Sequence, residues 1–231
     1  MAEKTALIVG ASRGLGLGLA KELYGRGWRV IGTRRSPASD KGLQALADSG
    51  GGKVSVETLD VQDAAGVNAF AARMKDRTFD LVFVNAGISG PQKDLASVTA
   101  DEVADLFVTN VLAPVRLAQA LTEQVREGDG VIAFMTSGLG SVSSDFSFGL
   151  VLYPASKAAL NRLTRDFIHT LGDRKLTVLS MHPGWVRTDM GGPQAPLSIE
   201  ESCKGMVDVI EAKAGTGQHG FYGHDGKVMP W

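Results

Sequence analysis

The sequence has little cysteine, no excess of either charge and no long apolar run. Its single cysteine, Cys203, cannot form an internal disulfide, so we expect a reducing compartment. The 24 Lys and Arg residues nearly balance the 25 Asp and Glu residues, and a net charge of -1 argues against nucleic acid and anionic membranes as partners. No segment approaches the roughly 18 apolar residues of a membrane span. The first apolar run, Ala6–Val9, is too short for a signal peptide. These absences predict a soluble cytoplasmic protein.

Glycine is the residue that the chain has in abundance. There are 29 glycines in 231 residues, beside an ordinary 44% of hydrophobic and 21% of charged residues. Glycine at this level without a repeat indicates many tight turns and close backbone approaches. The length allows one large domain or two small ones at about 100–200 residues each. Because we find no linker or internal repeat, we expect a single domain over residues 1–231.

Short apolar runs alternate with helical segments from the first residues to about residue 182. The run Ala6–Val9 is followed by Leu15, Leu19 and Leu23, which recur on one helix face. Further strands are predicted at residues 28–32, 53–59, 79–84, 131–135 and 176–181, with a long helix over residues 101–126. Parallel strands need long crossovers, and nearly continuous apolar strands suit a sheet covered on both faces. The pattern therefore predicts an α/β fold with one doubly wound parallel sheet and helices on both faces.

A glycine-rich turn joins the first strand to the first helix. It reads Gly10-Ala11-Ser12-Arg13-Gly14-Leu15-Gly16, with spacing G-x-x-x-G-x-G rather than G-x-G-x-x-G. Glycines let the backbone approach a ligand, and a helix N-terminus offers free N–H groups to a phosphate. The turn predicts a dinucleotide site. Glycines that serve packing alone are the alternative.

Tyr153 and Lys157 are four residues apart at the start of another predicted helix. Residues with this spacing share a helix face, so the ammonium group is expected near the phenol. A nearby cation lowers a phenol pKa, and Tyr153 would then act as an acid and base near neutral pH. Pro154 biases Tyr153 toward the first position of the helix. Taken alone, such a pair is commonplace in helices.

Together with four other motifs, these two features resemble the short-chain dehydrogenase/reductase family over essentially the whole chain. The further motifs are Asn85-Ala86-Gly87, Asn110 in the long helix, Thr136-Ser137 and Pro183-Gly184. The resemblance implies a Rossmann-like fold, bound NAD(P) and hydride transfer between nicotinamide and a carbonyl or alcohol carbon.

Within the family, the segments Pro183–Gly192 and Asp225–Trp231 are most similar to the small carbonyl reductases grouped with Sniffer and the bacterial C-factor. C-factor-like proteins are associated with developmental signalling. A noncatalytic signalling or nucleotide-sensing role on the same fold is therefore the alternative to a carbonyl reductase.

The resemblance implies a role for each of four catalytic residues. Tyr153 would protonate the carbonyl oxygen, and Lys157 would lower the tyrosine pKa and bind the nicotinamide ribose. Ser137 would polarise the substrate oxygen, and Asn110 would hold a water in the proton path. The interval from Ser137 to Tyr153 is about three residues longer than is usual in the family, so Ser141 stays an alternative for the serine.

The end of the second strand predicts the cofactor. It reads Thr33-Arg34-Arg35, with arginines where NAD-binding relatives carry an acidic residue. Arginine can bind a phosphate through two hydrogen bonds, so Arg34 and Arg13 are expected to select NADP(H). Solvated surface arginines are the alternative. The resemblance implies the following cofactor contacts: Gly10, Ser12, Arg13, Gly14, Leu15, Gly16, Arg34, Asp60, Val61, Asn85, Ala86, Gly87, Tyr153, Lys157, Pro183, Gly184, Val186 and Thr188.

The substrate is expected to be a small or medium apolar carbonyl compound, or the corresponding alcohol. Its pocket would be built from the loops Ser89–Leu95, Ser141–Leu152 and Gly191–Leu197. No metal is predicted, because the four histidines, His169, His182, His219 and His224, match no zinc signature. His219 and His224 are expected in a C-terminal loop. Cys203 is expected to be a small packing residue.

The family's habit of pairing its long helices implies a homodimer or homotetramer. The helices concerned would span residues 101–126 and 153–172. Apolar residues at helical steps would supply the interface: Phe107, Val111, Val115, Leu160, Leu163 and Phe167.

Overall fold

The computed structural model describes residues 3–143 and 151–231. The strands are β1 Thr5–Val9, β2 Arg29–Arg34, β3 Val54–Thr58, β4 Leu81–Val84, β5 Val131–Met135, β6 Thr177–His182 and β7 His219–Gly223. The α-helices are α1 Gly14–Gly25, α2 Leu43–Ser49, α3 Ala64–Arg73, α4 Ala100–Phe107, α5 Ala113–Leu121, α6 Leu152–His169 and α7 Ile199–Lys213.

The seven strands form one parallel sheet in the order β3-β2-β1-β4-β5-β6-β7. The strand order reverses between β1 and β4, where the connections leave toward opposite faces and open a crevice at the carboxyl ends. The predicted fold class and all six predicted strands are confirmed. This geometry brings the residues that follow β1, β4, β5 and β6 to one edge of the sheet.

Apolar side chains cover both faces of the sheet. On one face α1 and α7 pack through residues such as Leu19, Leu23 and Met206. On the other face α3 and α6 contribute Phe70 and Phe167, both fully or nearly fully buried. Burying a side chain of this size contributes about 1.5–3 kcal/mol. The two layers explain why β1, β4 and β5 read as continuous apolar runs.

Cys203 lies on α7 and is completely buried against Gly18 of α1. Its thiol donates to the carbonyl of Leu15, and burial raises its pKa. A buried, protonated thiol is not a nucleophile, so the predicted packing role is confirmed.

Three residues of the predicted interface do not offer a free surface. Val111, Leu160 and Phe167 are 6%, 1% and 2% exposed and are buried within the chain itself. Their helical spacing could not distinguish the face toward the sheet from a face toward a second subunit. Phe107 and Leu163 are partly exposed.

The predicted helix over residues 101–126 is interrupted. A capping box of Thr99 and Glu102 starts α4, and a wide π turn over Val108–Leu112 separates it from α5. Pro114 has no N–H to donate to the carbonyl of Asn110 four residues earlier, so the regular α-helical ladder is broken there. The wide turn contains Asn110, which is fully buried.

Strand β7 is absent from the sequence-based prediction, which ends the regular structure near residue 182. Its sequence, His-Gly-Phe-Tyr-Gly, has two glycines that interrupt the apolar pattern. It forms the edge beside β6, and the ring of Trp231 packs 4.8 Å from that of His219. His219 therefore belongs to a strand, not to the expected loop, whereas His224 follows the strand. No helix in the two described ranges is long and apolar enough to cross a membrane.

Candidate active site and cofactor cleft

The glycine turn is held by the two strands beside it. Gly10 has a φ of +82°, and its N–H donates to the buried hydroxyl of Thr33 at 3.0 Å. The side-chain amide of Asn85 donates to the Gly10 carbonyl at 2.7 Å. A methyl group on Gly10 would lie 2.8 Å from the Cα of Ala86, and one on Gly16 would collide with the Gly10 carbonyl. Close packing therefore requires glycine at both positions.

A cleft of about 890 Å³ opens in front of the N-terminus of α1. Gly14, the first residue of α1, has φ +55°, and the nearest atom to a methyl group there would be Cγ2 of Thr188 at 3.9 Å. The lining residues are Arg13, Gly14, Lys41, Arg187, Thr188, Asp189, Gly192, Pro193 and Ile199. A helix N-terminus free of bulky side chains, with three cations nearby, fits the phosphates of a dinucleotide.

Two other residues of the glycine turn, Ser12 and Leu15, contact neighbouring segments through their backbone carbonyls. The Ser12 carbonyl accepts the N–H of Lys41 at 2.8 Å, and the Leu15 carbonyl faces Cys203. The first of these contacts brings Lys41 to the cleft. Sequence reasoning missed Lys41, since the residue belongs to no motif and reaches the turn only through the loop before α2.

The two arginines predicted to bind phosphate have different surroundings. Arg13 is exposed and forms a 2.7 Å ion pair with Asp189 across the cleft. Arg34 forms a 2.7 Å ion pair with Asp40, and their side chains are 16% and 8% exposed. Arg34 is not among the residues that line the cleft. The predicted contact of Arg34 with the cofactor phosphate stays a prediction, and it would require Arg34 to exchange Asp40 for the ligand.

The carboxylate of Asp40 explains why Arg34 is held. It accepts N–H groups from Gly42, Leu43 and Gln44 at the start of α2. Burial alone would raise the pKa of Asp40, but these bonds and the one from Arg34 hold it below its usual value. The carboxylate is thus a structural anion that keeps Arg34 at its side.

The adenosine side of the predicted site lies at the ends of β3 and β4. Asp60 is exposed and its carboxylate accepts the N–H of Gln62, whereas Val61 is 9% exposed. Ala86 packs against the core beside the glycine turn. These residues share the carboxyl edge of the sheet with the cleft.

Gly87 lies between the predicted cofactor edge and two of the residues predicted to be catalytic. A methyl group on Gly87 would lie 3.2 Å from Oδ1 of Asn110 and 3.5 Å from Nζ of Lys157. Asn110 accepts the N–H of Ile88 at 2.9 Å and donates to the Ile88 carbonyl at 2.8 Å and to Oγ of Ser156 at 3.1 Å. Asn110 therefore ties the segment after β4 to α6. Its predicted role in holding a water stays a prediction.

Lys157 is buried within α6. It is 3% exposed, and its Nζ donates to the carbonyl of Met135 at 2.9 Å. The Nζ also lies 5.6 Å from the centroid of the Tyr153 ring. Burial lowers the pKa of Lys157 to about 8.

Tyr153 is the second residue of α6, close to the predicted first position. Its hydroxyl forms a hydrogen bond with Ser137, whereas Ser141 pairs with Ser143 at 3.0 Å. The structure thus brings Ser137 to the tyrosine. Burial raises the pKa of Tyr153 to about 12, and the bond with Ser137 opposes this shift. Burial is thus the largest influence on the phenol in this structure, and the predicted lowering of its pKa by Lys157 stays a prediction.

The segment after β6 forms the opposite wall of the cleft. Gly184 has φ +83°, and the Pro183 carbonyl accepts the hydroxyl of Ser202 on α7 at 2.7 Å. Val186 is 4% exposed, and Oγ1 of Thr188 accepts the N–H of Gly191 at 3.0 Å. This compact turn directs Thr188 toward Gly14.

The predicted substrate loops are partly described. A cavity of about 300 Å³ is lined by Ile88, Ser89, Gly90, Pro91, Glu102 and Asp105, which includes the start of the predicted wall Ser89–Leu95. Residues 144–150 of the predicted loop Ser141–Leu152 lie outside the described residues. His182 also belongs to this region, since its Nδ1 accepts the N–H of Gly138. Sequence reasoning considered His182 only as a metal ligand, although its position directly before Pro183-Gly184 placed it at the site.

Known proteins match both the sequence and the fold. A family model described as short chain dehydrogenase matches residues 4–196. C-signal of Myxococcus xanthus is 34% identical over 166 residues, which cover 71% of this chain and 100% of that protein. A carbonyl reductase from Pseudomonas aeruginosa PAO1 in complex with NADP is 42% identical, with a TM-score of 0.92 and 100% of each chain covered. The carbonyl reductase Sniffer of D. melanogaster is 30% identical, with a TM-score of 0.88 and 100% of each chain covered.

The chain belongs to the short-chain dehydrogenase family, and it is an oxidoreductase by that membership. The expected similarity to Sniffer and to C-factor-like proteins is confirmed.

Proposed function

We propose that the protein is an NADPH-dependent carbonyl reductase that acts on a small or medium carbonyl compound. One observation carries the proposal: Tyr153, hydrogen-bonded to Ser137 and 5.6 Å from Nζ of Lys157, lies at the sheet edge that also holds the glycine turn. A noncatalytic nucleotide sensor does not need a tyrosine grouped with a buried serine and a buried lysine beside the cleft. The NADP bound to the similar Pseudomonas aeruginosa carbonyl reductase supports the cofactor.

NADPH, when bound, supplies the hydride for the carbonyl carbon. Tyr153 then donates its phenolic proton to the carbonyl oxygen. Burial raises the pKa of Tyr153 to about 12, so the phenol is protonated at neutral pH and can donate this proton. Ser137 orients the carbonyl oxygen through a hydrogen bond. Lys157 supplies a cation beside the phenol and stabilises the phenolate that remains.

The cofactor would be held mainly by backbone and by exposed cations. The glycine turn Gly10–Gly16 would receive the phosphates, and Asp60 and Val61 would contact adenine. The residues after β4 and β6 would contact adenosine and nicotinamide. Arg13 and Arg34 would bind the 2′-phosphate, with each arginine exchanging its carboxylate partner, Asp189 or Asp40, for the ligand, and Lys41 would add a third cation at the cleft.

The activity is tested by following NADPH oxidation with a panel of ketones, aldehydes and quinones. Tyr153→Phe is the control, because it removes only the proton donor. We expect turnover with at least one carbonyl class and none with the variant. NADPH binding in a calorimetric titration, without oxidation by any member of the panel, would favour the noncatalytic alternative.

We further propose a single-domain, cytoplasmic protein that forms a homodimer or homotetramer. One sheet runs through the described residues, and the partly exposed Phe107 and Leu163 would lie in the interface. Light scattering at micromolar concentration tests the assembly. A monodisperse monomer of the 24.3 kDa chain would refute it.

A further inference from the structure

His182 is the last residue of β6 and lies beside the turn that carries Ser137. Its Nδ1 accepts the backbone N–H of Gly138 at 3.0 Å. A ring nitrogen that accepts a hydrogen bond carries no proton, so His182 is neutral with its proton on Nε2. A methyl group on Gly138 would lie 3.2 Å from Nε2 of the ring. The imidazole therefore packs directly against the residue that follows Ser137.

The serine turn is anchored to β6 on both sides of Ser137. Before the serine, the N–H of Thr136 donates to the Met181 carbonyl at 2.9 Å. After it, the N–H of Gly138 donates to His182, and this second anchor is a side chain. Ser137 itself has an extended backbone, and its hydroxyl accepts the N–H of Leu139 at 3.2 Å. The position of the Ser137 hydroxyl therefore depends on where the Gly138 amide is held.

His182 is in turn held in place and kept neutral. Its carbonyl accepts the N–H of His224 at 2.8 Å, which fixes the end of β6. Burial lowers the pKa of His182 to about 4; a further lowering comes from His224, and Asp225 acts in the opposite sense. The ring is therefore a hydrogen-bond acceptor throughout the neutral range.

We infer that His182 is a positioning residue that holds Ser137 at the distance from Tyr153 needed for carbonyl polarisation. The inference rests on the proposed function, since it assigns Ser137 to the substrate oxygen. His182 touches neither reacting atom in this arrangement. It acts through the Gly138 amide, and its loss would let the serine hydroxyl move away from the phenol.

The experiment compares His182→Leu, which removes the acceptor, with His182→Asn, which keeps a carbonyl oxygen near the position of Nδ1. His169→Leu, at the exposed end of α6, is the matched control for loss of a histidine. Circular dichroism and thermal unfolding establish that each variant folds. Because a displacement of about 1 Å can cost about 100-fold in rate, we expect kcat to fall by that order in His182→Leu, with KM for NADPH unchanged. The Asn variant should recover most of the rate.

A double-variant cycle separates positioning from a general loss of structure. If His182 acts through Ser137, adding His182→Leu to Ser137→Ala should cost little more than Ser137→Ala alone. A full further loss of about 100-fold in the Ser137→Ala background would overturn the inference.

Hydrogen exchange of the Gly138 amide gives a readout that needs no turnover. We expect protection in the parent and in His182→Asn, and fast exchange in His182→Leu. Equal protection in all three would also overturn the inference. The parent protein could reduce no carbonyl compound and still show the expected exchange of the Gly138 amide. That result would refute the proposed function but would confirm the hydrogen bond from Gly138 to His182.

Discussion

The sheet edge has a proposed cofactor half and a proposed catalytic half, and the two halves differ in how deeply their charged and polar groups are buried. In the cofactor half, the glycine turn after β1 leaves backbone groups bare, and the ion pair that lines the cleft is exposed, with the side chains of Arg13 and Asp189 61% and 83% exposed. Around β5 and α6, the polar side chains are buried, with Asn110 0% and Lys157 3% exposed. Exposed ion pairs contribute little and are screened by salt, whereas a buried polar network is costly to disturb. Substitutions should therefore have large effects in the catalytic half and graded, salt-dependent effects in the cofactor cleft.

The largest effects on turnover are expected for Tyr153→Phe and for Lys157→Met. Removing the proton donor should lower kcat by about 10²–10⁴-fold, the usual contribution of general acid catalysis. NADPH affinity and thermal stability should change little, because the ring and its packing stay. Steady-state kinetics and calorimetry measure both quantities, and Tyr24→Phe on α1 is the control. A Tyr153→Phe protein within tenfold of the parent rate would show that another group is the acid.

Lys157→Met should abolish turnover and weaken NADPH binding, and it should also change the pH dependence of stability. Burial lowers the Lys157 pKa from 10.5 to about 8, so between these pH values the unfolded chain holds a proton that the folded chain lacks. The free energy of unfolding of the parent should therefore rise with pH over this interval, by about 3 kcal/mol at most. Urea unfolding at pH 8 and pH 10 should show this rise in the parent only. If the free energy of unfolding of the variant rose with pH as it does in the parent, Lys157 would not be the group responsible for the rise.

Gly16→Ala tests whether bare backbone is required in the cofactor half. The new methyl would collide with the Gly10 carbonyl and lie 2.6 Å from the Asn85 amide nitrogen. Overpacking of this kind costs about 1–3 kcal/mol, and the turn should lose affinity for NADPH. Gly25→Ala is the control on the same helix, because a methyl there meets nothing within 4 Å. It should be neutral or stabilise by up to about 1 kcal/mol through helix propensity.

Arg13→Ala should give a smaller effect that depends on the cofactor. The loss of one charge-assisted hydrogen bond of about 1.5–3 kcal/mol predicts roughly a tenfold or greater loss of NADPH affinity, with little change for NADH. Calorimetric titrations at low and high ionic strength should show the difference shrinking with salt. Arg29→Ala is the control, because Arg29 lies at the amino end of β2 and away from the cleft, and it should leave the affinities for NADPH and NADH unchanged. A parent that binds NADH as tightly as NADPH would refute the preference.

Asp189→Asn should have the smallest effect, in the opposite direction. It releases Arg13 from an exposed ion pair that contributes about 0–1 kcal/mol, so NADPH affinity should rise by a few fold. A calorimetric titration with NADPH measures this change in affinity. A fall in affinity would mean that Asp189 orders the cleft rather than competing with the phosphate.

The chain's local motifs determine the fold class and the core of the site. The alternation of apolar strands and helices predicts the doubly wound sheet, since each strand needs cover on both faces. The turn Gly10–Gly16 and the pair Tyr153 and Lys157 are recognisable because each lies within a few residues of sequence. Their predicted roles come from residue type, spacing and the resemblance to the family.

Only the tertiary structure decides which groups distant in sequence form ion pairs and hydrogen bonds with one another. It pairs Arg34 with Asp40, joins His182 to Gly138 and brings Ser137 rather than Ser141 to Tyr153. It also adds β7, whose glycine-rich sequence becomes a strand because β6 offers it an edge. Burial acts on the pKa of Tyr153 against the lowering expected from Lys157, because desolvation depends on everything packed around a group and not on its neighbours in sequence.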